Sequence, residues 1–191
     1  RAPDNTTLAL EDSSISLAEA VRLINKYSNN VMTRQVLLSL GARVFGAPGT
    51  TEKGLAAVKA WLVEHKLDSP ALRLDNGAGL SRDERISAAL LGRLLLHVYQ
   101  QAYMPEFIAS LPVSGNDGSM AHRFTDGPLT GRAHIKTGLL DFVQSMAGYV
   151  ISASGKRYVV VLLHNDPRAH TKAGEQLQDE VIRWTYNLAS S

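Results

Sequence analysis

The chain has 191 residues, 45% hydrophobic and 20% charged, which is enough apolar material for one domain with a core and too little charge for a disordered tail. The formal charge of +2 comes from Lys and Arg scattered through helical patterns, so no nucleic-acid-binding stripe stands out. Cysteine is absent, which excludes a disulfide framework, a thiolate metal site and a cysteine nucleophile but leaves the redox compartment open.

In chain order, a polar lead opening Arg1-Ala2-Pro3-Asp4 carries neither a signal-peptide core nor an initiator Met, so the natural N-terminus is expected further upstream. No apolar run approaches the length that spans a bilayer. Ser16 and Glu19 form a capping box, which predicts a helix through Val21, Leu23 and Ile24 ending near Tyr27. A second helix follows Ser28-Asn29-Asn30, with Val31, Gln35 and Leu38 on one face, and is expected to stop around Gly41. Ser28 then falls in a turn between helices.

Over 51–65, Leu55, Val58 and Leu62 recur at helical spacing, and Asp68-Ser69-Pro70 breaks the pattern. Asp75-Asn76-Gly77-Ala78-Gly79 reads as a turn. A further capping box, Ser81-Arg82-Asp83-Glu84, is expected to launch a helix through Ile86, Leu90, Leu94 and Val98. Residues 114–131, rich in Gly, Asp, Ser and Thr, predict a long loop of the kind that borders active sites.

Strands are predicted over 133–137, 143–152 and 158–164, the last two joined as a hairpin through Ala153-Ser154-Gly155-Lys156. A final helix is expected to pack Leu177, Val181, Trp184 and Leu188 against the hairpin. No internal repeat is visible. A helical block over about 16–110, followed by a strand-rich region and closing helix over about 132–188, predicts an α/β (α+β) protein. Its helices flank a mostly antiparallel sheet, and part of that sheet is expected from sequence upstream.

Lys136-Thr137-Gly138 follows a predicted strand, where a cation beside a hydroxyl suits a carboxylate and the glycine lets a ligand backbone approach the strand edge. Its plain alternative is a solvent-facing strand end. Ser28-Asn29-Asn30 offers a hydroxyl and an amide two residues apart, able to relay a proton and hold a substrate amide. Ser and Asn are also preferred capping residues, so simple capping is the alternative there.

In this order and about a hundred residues apart, the two triplets resemble the second and third motifs of the penicillin-recognising serine enzymes, whose first motif is Ser-x-x-Lys. Four blocks extend the likeness over nearly the whole chain. They are Asn25-Lys26-Tyr27-Ser28-Asn29-Asn30-Val31-Met32, Asp75-Asn76-Gly77-Ala78-Gly79-Leu80-Ser81-Arg82, Ser110-Leu111-Pro112-Val113-Ser114-Gly115, and Lys136-Thr137-Gly138 with Ala147-Gly148-Tyr149-Val150. The chain thus resembles the C-terminal part of a D-alanyl-D-alanine carboxypeptidase/endopeptidase of peptidase family S13, with a penicillin-binding, β-lactamase-like transpeptidase fold whose N-terminal part is missing.

The resemblance implies that Ser28 helps move the nucleophile's proton, that Asn30 hydrogen-bonds the substrate's peptide carbonyl, and that Lys136 and Thr137 bind its terminal carboxylate. Gly138 would admit the substrate, and the backbone N–H of Leu139 would serve the oxyanion hole. Many relatives carry Thr or Ser at the Leu139 position, so this chain loses a hydroxyl there but keeps the backbone donor. No Ser in the chain has Lys three residues later, so the nucleophile is expected upstream.

Peptidoglycan stem peptides, β-lactams and that upstream part are the implied partners; a homodimer is left open. The implied location is periplasmic, with the signal peptide outside this chain. An inactive peptidoglycan-binding or scaffold relative is the alternative, and a β-lactamase would share Lys-Thr-Gly without the other blocks. No cofactor, metal or nucleic acid is expected. His-Glu-x-x-His, Gly-x-Ser-x-Gly and a P-loop are absent, the six His are dispersed, and His134 shares a predicted strand face with Lys136.

Overall fold

The computed structural model describes residues 15–188, so the N-terminal lead lies outside the described residues. Ser16 starts the helical part as predicted: its Oγ accepts from the Glu19 N–H at 3.2 Å and opens α1, Leu17–Tyr27. Helix α2, Asn30–Phe45, follows after a two-residue turn and packs against α3, Thr51–Glu64.

Helix α2 runs past Gly41, the expected stop. Gly41 is buried where the two helices touch, and a Cβ there would lie 2.6 Å from the Gly54 nitrogen of α3. The glycine serves close approach of two backbones instead of a helix end.

The expected capping box at Ser81 does not start a helix. Arg73 and Arg85 exchange backbone hydrogen bonds of 2.9 Å each, and the Ser81 hydroxyl accepts from the Asp83 N–H in a local turn. Helix α4 begins later, at Ala88–Tyr99, capped by Ser87, whose Oγ accepts from the Leu90 N–H at 3.1 Å. The sequence reading missed α5, Met104–Ser110, a short helix that packs on α1.

Three antiparallel strands follow in the order β1 (Ala133–Leu140), β2 (Val143–Ile151) and β3 (Arg157–Asn165), close to the predicted bounds. The register sets Lys136 opposite Ala147 and Gly138 opposite Ser145. One sheet face buries Ile135, Met146, Val150 and Val160 with Ile182 of α6, Lys172–Tyr186. The other carries Tyr149 against Leu95 of α4 and Ile108 of α5. Because strand side chains alternate, Lys136 and Gly138 face α4.

Helix α6 packs on the β2–β3 hairpin as predicted, with Val181 against the core, but the rest of its buried stripe differs from the predicted one. It buries Gly174, Gln178, Ile182 and Thr185, whereas Leu177 and Trp184 are 41% and 65% exposed and Leu188 lies beyond the helix. Gln178 takes the sheet-facing position because its Nε2 donates to the Ser145 carbonyl at 3.0 Å. Gly174 lies so near the Ala169 carbonyl that no Cβ would fit.

Candidate active site

Helix α1 ends on Ser28, whose φ of 53° and ψ of 47° are left-handed, a region that non-glycine residues rarely occupy and that is held only by its surroundings. The chain turns straight into α2, capped by Asn29, whose Oδ1 accepts from the Met32 N–H at 3.0 Å. Capping therefore falls to Asn29. The hydroxyl of Ser28 is left for another partner, and the side chain of half-buried Asn30 makes no hydrogen bond to a described residue.

That partner is Lys136. Its ammonium donates to Ser28 Oγ, 108 residues away in sequence, and to its neighbour's carbonyl, Thr137 O, at 2.7 Å. The two triplets thus meet at the seam between the helices and the sheet. Burial holds the Lys136 ammonium below the ordinary lysine range, because desolvation penalises its charged form. The Thr137 hydroxyl donates to Ser119 Oγ at 2.8 Å.

Strand β1 is an edge of the sheet. Residues 112–114 run beside its first half, with the Ile135 N–H donating to Pro112 O at 2.8 Å and the Ser114 N–H to Ala133 O at 2.9 Å. Outward groups recur every second residue, so the N–H groups of Thr137 and Leu139 point from the same edge, beyond the end of that pairing. Leu139 itself is 62% exposed. At Gly138 a Cβ would come within 2.6 Å of Ser145 Oγ, so the glycine leaves room for that hydroxyl beside the site.

Next to these groups lies a cavity of about 460 Å³, walled by Leu91, Leu95 and Phe107 and floored by Lys136, Thr137 and Gly138. His134 is partly buried, and desolvation is the main cause of its lowered pKa, but it makes no hydrogen bond to Ser28 or Lys136. Among the described residues no three His, Cys, Asp or Glu side chains gather where a metal ion could be held.

Two contacts escaped the sequence reading. Lys26 looks like an ordinary base in the last turn of a helix, yet its ammonium is buried on Asp117 and the Leu111 carbonyl. Ser119 lies in a glycine-rich loop with no pattern of its own, and only the folded chain brings it to Thr137.

The fold, an antiparallel sheet with helices on both faces, is that of the penicillin-binding proteins. Penicillin binding protein 4 (dacB) from Haemophilus influenzae superposes with a TM-score of 0.80 at 22% identity, over 89% of this chain and 40% of that one. A predatory endopeptidase from Bdellovibrio bacteriovorus superposes at 0.71 and 17% identity, over 90% and 45%.

The sequence profile of the D-Ala-D-Ala carboxypeptidase 3 (S13) family matches residues 1–188, and the chain belongs to that family. A D-alanyl-D-alanine carboxypeptidase from Actinomadura sp. is 30% identical over 151 residues, covering 76% of this chain and 28% of that protein. The chain spans between 28% and 39% of the length of five curated relatives that it matches.

Proposed function

We propose that this chain supplies two of the three parts of a serine D-Ala-D-Ala carboxypeptidase/endopeptidase site that acts on peptidoglycan stem peptides. The observation that carries the reading is the hydrogen bond from Lys136 to Ser28 beside the open edge of β1. Since the ammonium donates to Ser28 Oγ, the hydroxyl's own proton is directed elsewhere, which suits Ser28 to pass a proton between nucleophile and leaving group.

The nucleophile is the serine of a Ser-x-x-Lys motif upstream in the same protein. Its oxygen attacks the penultimate D-Ala carbonyl carbon; its proton goes by way of the motif lysine and Ser28 to the departing D-Ala nitrogen. The C–N bond breaks, D-Ala leaves as a neutral amine, and water hydrolyses the ester. Asn30 orients the peptide carbonyl, Lys136 and Thr137 hold the terminal carboxylate, and Gly138 leaves room for the substrate backbone. The Leu139 N–H stabilises the oxyanion together with the nucleophile's own amide.

β-Lactams acylate the same serine in this reading. The Bdellovibrio enzyme has been solved acylated by penicillin G, and the Haemophilus protein in complex with a β-lactam. Stem peptides lie outside the cytoplasmic membrane, so the reading puts the working protein in the periplasm. No described helix is long and apolar enough to cross a membrane.

The test is the intact mass of the complete protein with and without excess benzylpenicillin. One penicilloyl group is expected, on a serine of a Ser-x-x-Lys motif. Ser28→Ala is expected to slow acylation by roughly 10²–10⁴-fold, the usual worth of a positioned proton carrier. A complete, folded protein that takes up no adduct would leave a stem-peptide-binding or scaffold role instead.

A further inference from the structure

Lys26 stands two residues before Ser28 and is only 5% exposed. An ammonium is costly to remove from water unless its donors are met, and here they are: Leu111 O at 2.6 Å, Asp117 Oδ1 at 2.8 Å and Asp117 Oδ2 at 2.7 Å. The segment that supplies these acceptors also holds β1, through neighbours of Leu111 and Asp117. Asp117 Oδ1 accepts from the Val113 N–H at 2.9 Å, Pro112 and Ser114 pair with Ile135 and Ala133, and Ser119 meets Thr137.

Gly118 presses on the backbone of Lys26 so closely that a Cβ would lie 2.7 Å from Lys26 O. Residues 111–120 therefore form a strap, fastened to α1 through Lys26 and to β1 at three further points. Ser28 lies two residues past Lys26 on one side of the strap, and Lys136 lies between Ile135 and Thr137, two of its β1 partners, on the other.

We propose that the Lys26–Asp117 ion pair is a positioning pair that sets the Ser28 turn against the Lys136 strand, and through that contact the rate of acyl transfer. The inference rests on the acyl-enzyme reading of the site. With its ammonium buried and its carboxylate 41% exposed, such an ion pair contributes little stability over neutral groups of the same shape. It does fix geometry, since one ammonium held between a carboxylate and a carbonyl tolerates little displacement. Misplacing a catalytic group by about 1 Å can cost on the order of 10²-fold in rate.

The test uses the complete protein carrying the double change Lys26→Met and Asp117→Asn. It removes both charges together, keeps the buried stem and leaves an oxygen to cap Val113. Three quantities are read: the melting midpoint, benzylpenicillin acylation at saturation with pre-covalent binding resolved separately, and the Lys136 titration by NMR of labelled lysines. Expected are a folded protein, near-unchanged pre-covalent binding, an acylation rate lowered about tenfold or more, and Lys136 titrating closer to an ordinary lysine.

A folded double variant that acylates at the parent rate, with Lys136 titrating as before, overturns the proposal. If the double variant does not fold, Lys26→Arg keeps the charge but moves its donors, and an unchanged acylation rate there overturns it equally. If the parent protein takes up no penicilloyl group, the acyl-enzyme reading fails on its own. The Lys136 titration then decides the pair: a displaced titration supports it, and an unchanged one sinks it.

Discussion

Lys136 and Tyr149 lie close together in the sheet, and burial acts on them with opposite signs. The Lys136 pKa is lowered from its ordinary 10.5 by desolvation. Below its folded pKa both folded and unfolded chains hold the proton, and the buried charge costs stability. Between that pKa and 10.5 the unfolded chain binds more protons, so this group's contribution rises with pH. The margin by which Lys136→Met melts above its parent should therefore shrink as pH climbs toward 10, and a margin independent of pH would contradict the burial of the charge. On the proposed reading, the alkaline limb of the parent's acylation profile should fall below 10.5, as the ammonium assigned to the carboxylate is lost.

Tyr149 behaves the other way. Its hydroxyl donates to Leu95 O at 2.7 Å, and desolvation pushes its pKa up from 10.0 to about 12. From pH 10 to about 12 the folded chain keeps a proton that the unfolded chain gives up, so stability falls through that window. Tyr149→Phe should cost about 1 kcal/mol at neutral pH for the lost hydrogen bond and should remove this alkaline loss. Denaturant melts at pH 7 and pH 11 measure both effects; a variant as alkali-sensitive as its parent would assign the loss to another group.

At the scale of elements, the α2–α3 contact gives the sharpest test of packing against propensity. Alanine is better than glycine in a helix by about 1 kcal/mol, so exposed glycines are improved by it. At Gly41 the added methyl would meet Gly54 N at 2.6 Å and Lys53 Cβ at 2.9 Å. Overpacking costs about 1–3 kcal/mol, so Gly41→Ala is expected to lower the melting midpoint, and a raised midpoint would mean that the helices slide apart without cost. The same contact explains why Gly41 reads in sequence as a helix end: a glycine that terminates a helix and one that admits a second helix look alike in one dimension.

The α6 error has a related cause. Periodicity finds apolar residues, whereas this helix turns Gln178 and Gly174 to the sheet because one satisfies a β2 carbonyl and the other clears a backbone. The strands and the Ser28 turn were legible because alternation and capping are local. The meeting of Ser28 with Lys136 was legible only by resemblance, through two short triplets. Lys26 and Ser119 were not, since nothing local distinguishes a buried lysine from a solvated one or a loop serine that meets Thr137 from one that meets water.

For the whole molecule, the site lies on the seam between helices and sheet, crossed by Ser28 on Lys136 and Tyr149 on Leu95, while Lys26 on Asp117 ties α1 to the strap beside β1. A ligand that follows β1 and also engages Ser28 and Asn30 must bind both sides at once. Anything bound only to the folded state stabilises it, and a ligand spanning a seam stabilises the docking of its two walls as well as either wall alone. Acylation of the complete protein by benzylpenicillin should therefore raise its melting midpoint. It should also slow amide exchange together at Thr137 and Leu139 on the β1 edge and across the α1–α2 turn. In Lys136→Met the protection should fall on both sides, because the residue that joins the walls is gone. Protection confined to β1 would mean that the turn does not touch the ligand and that the strand edge alone is the binding surface.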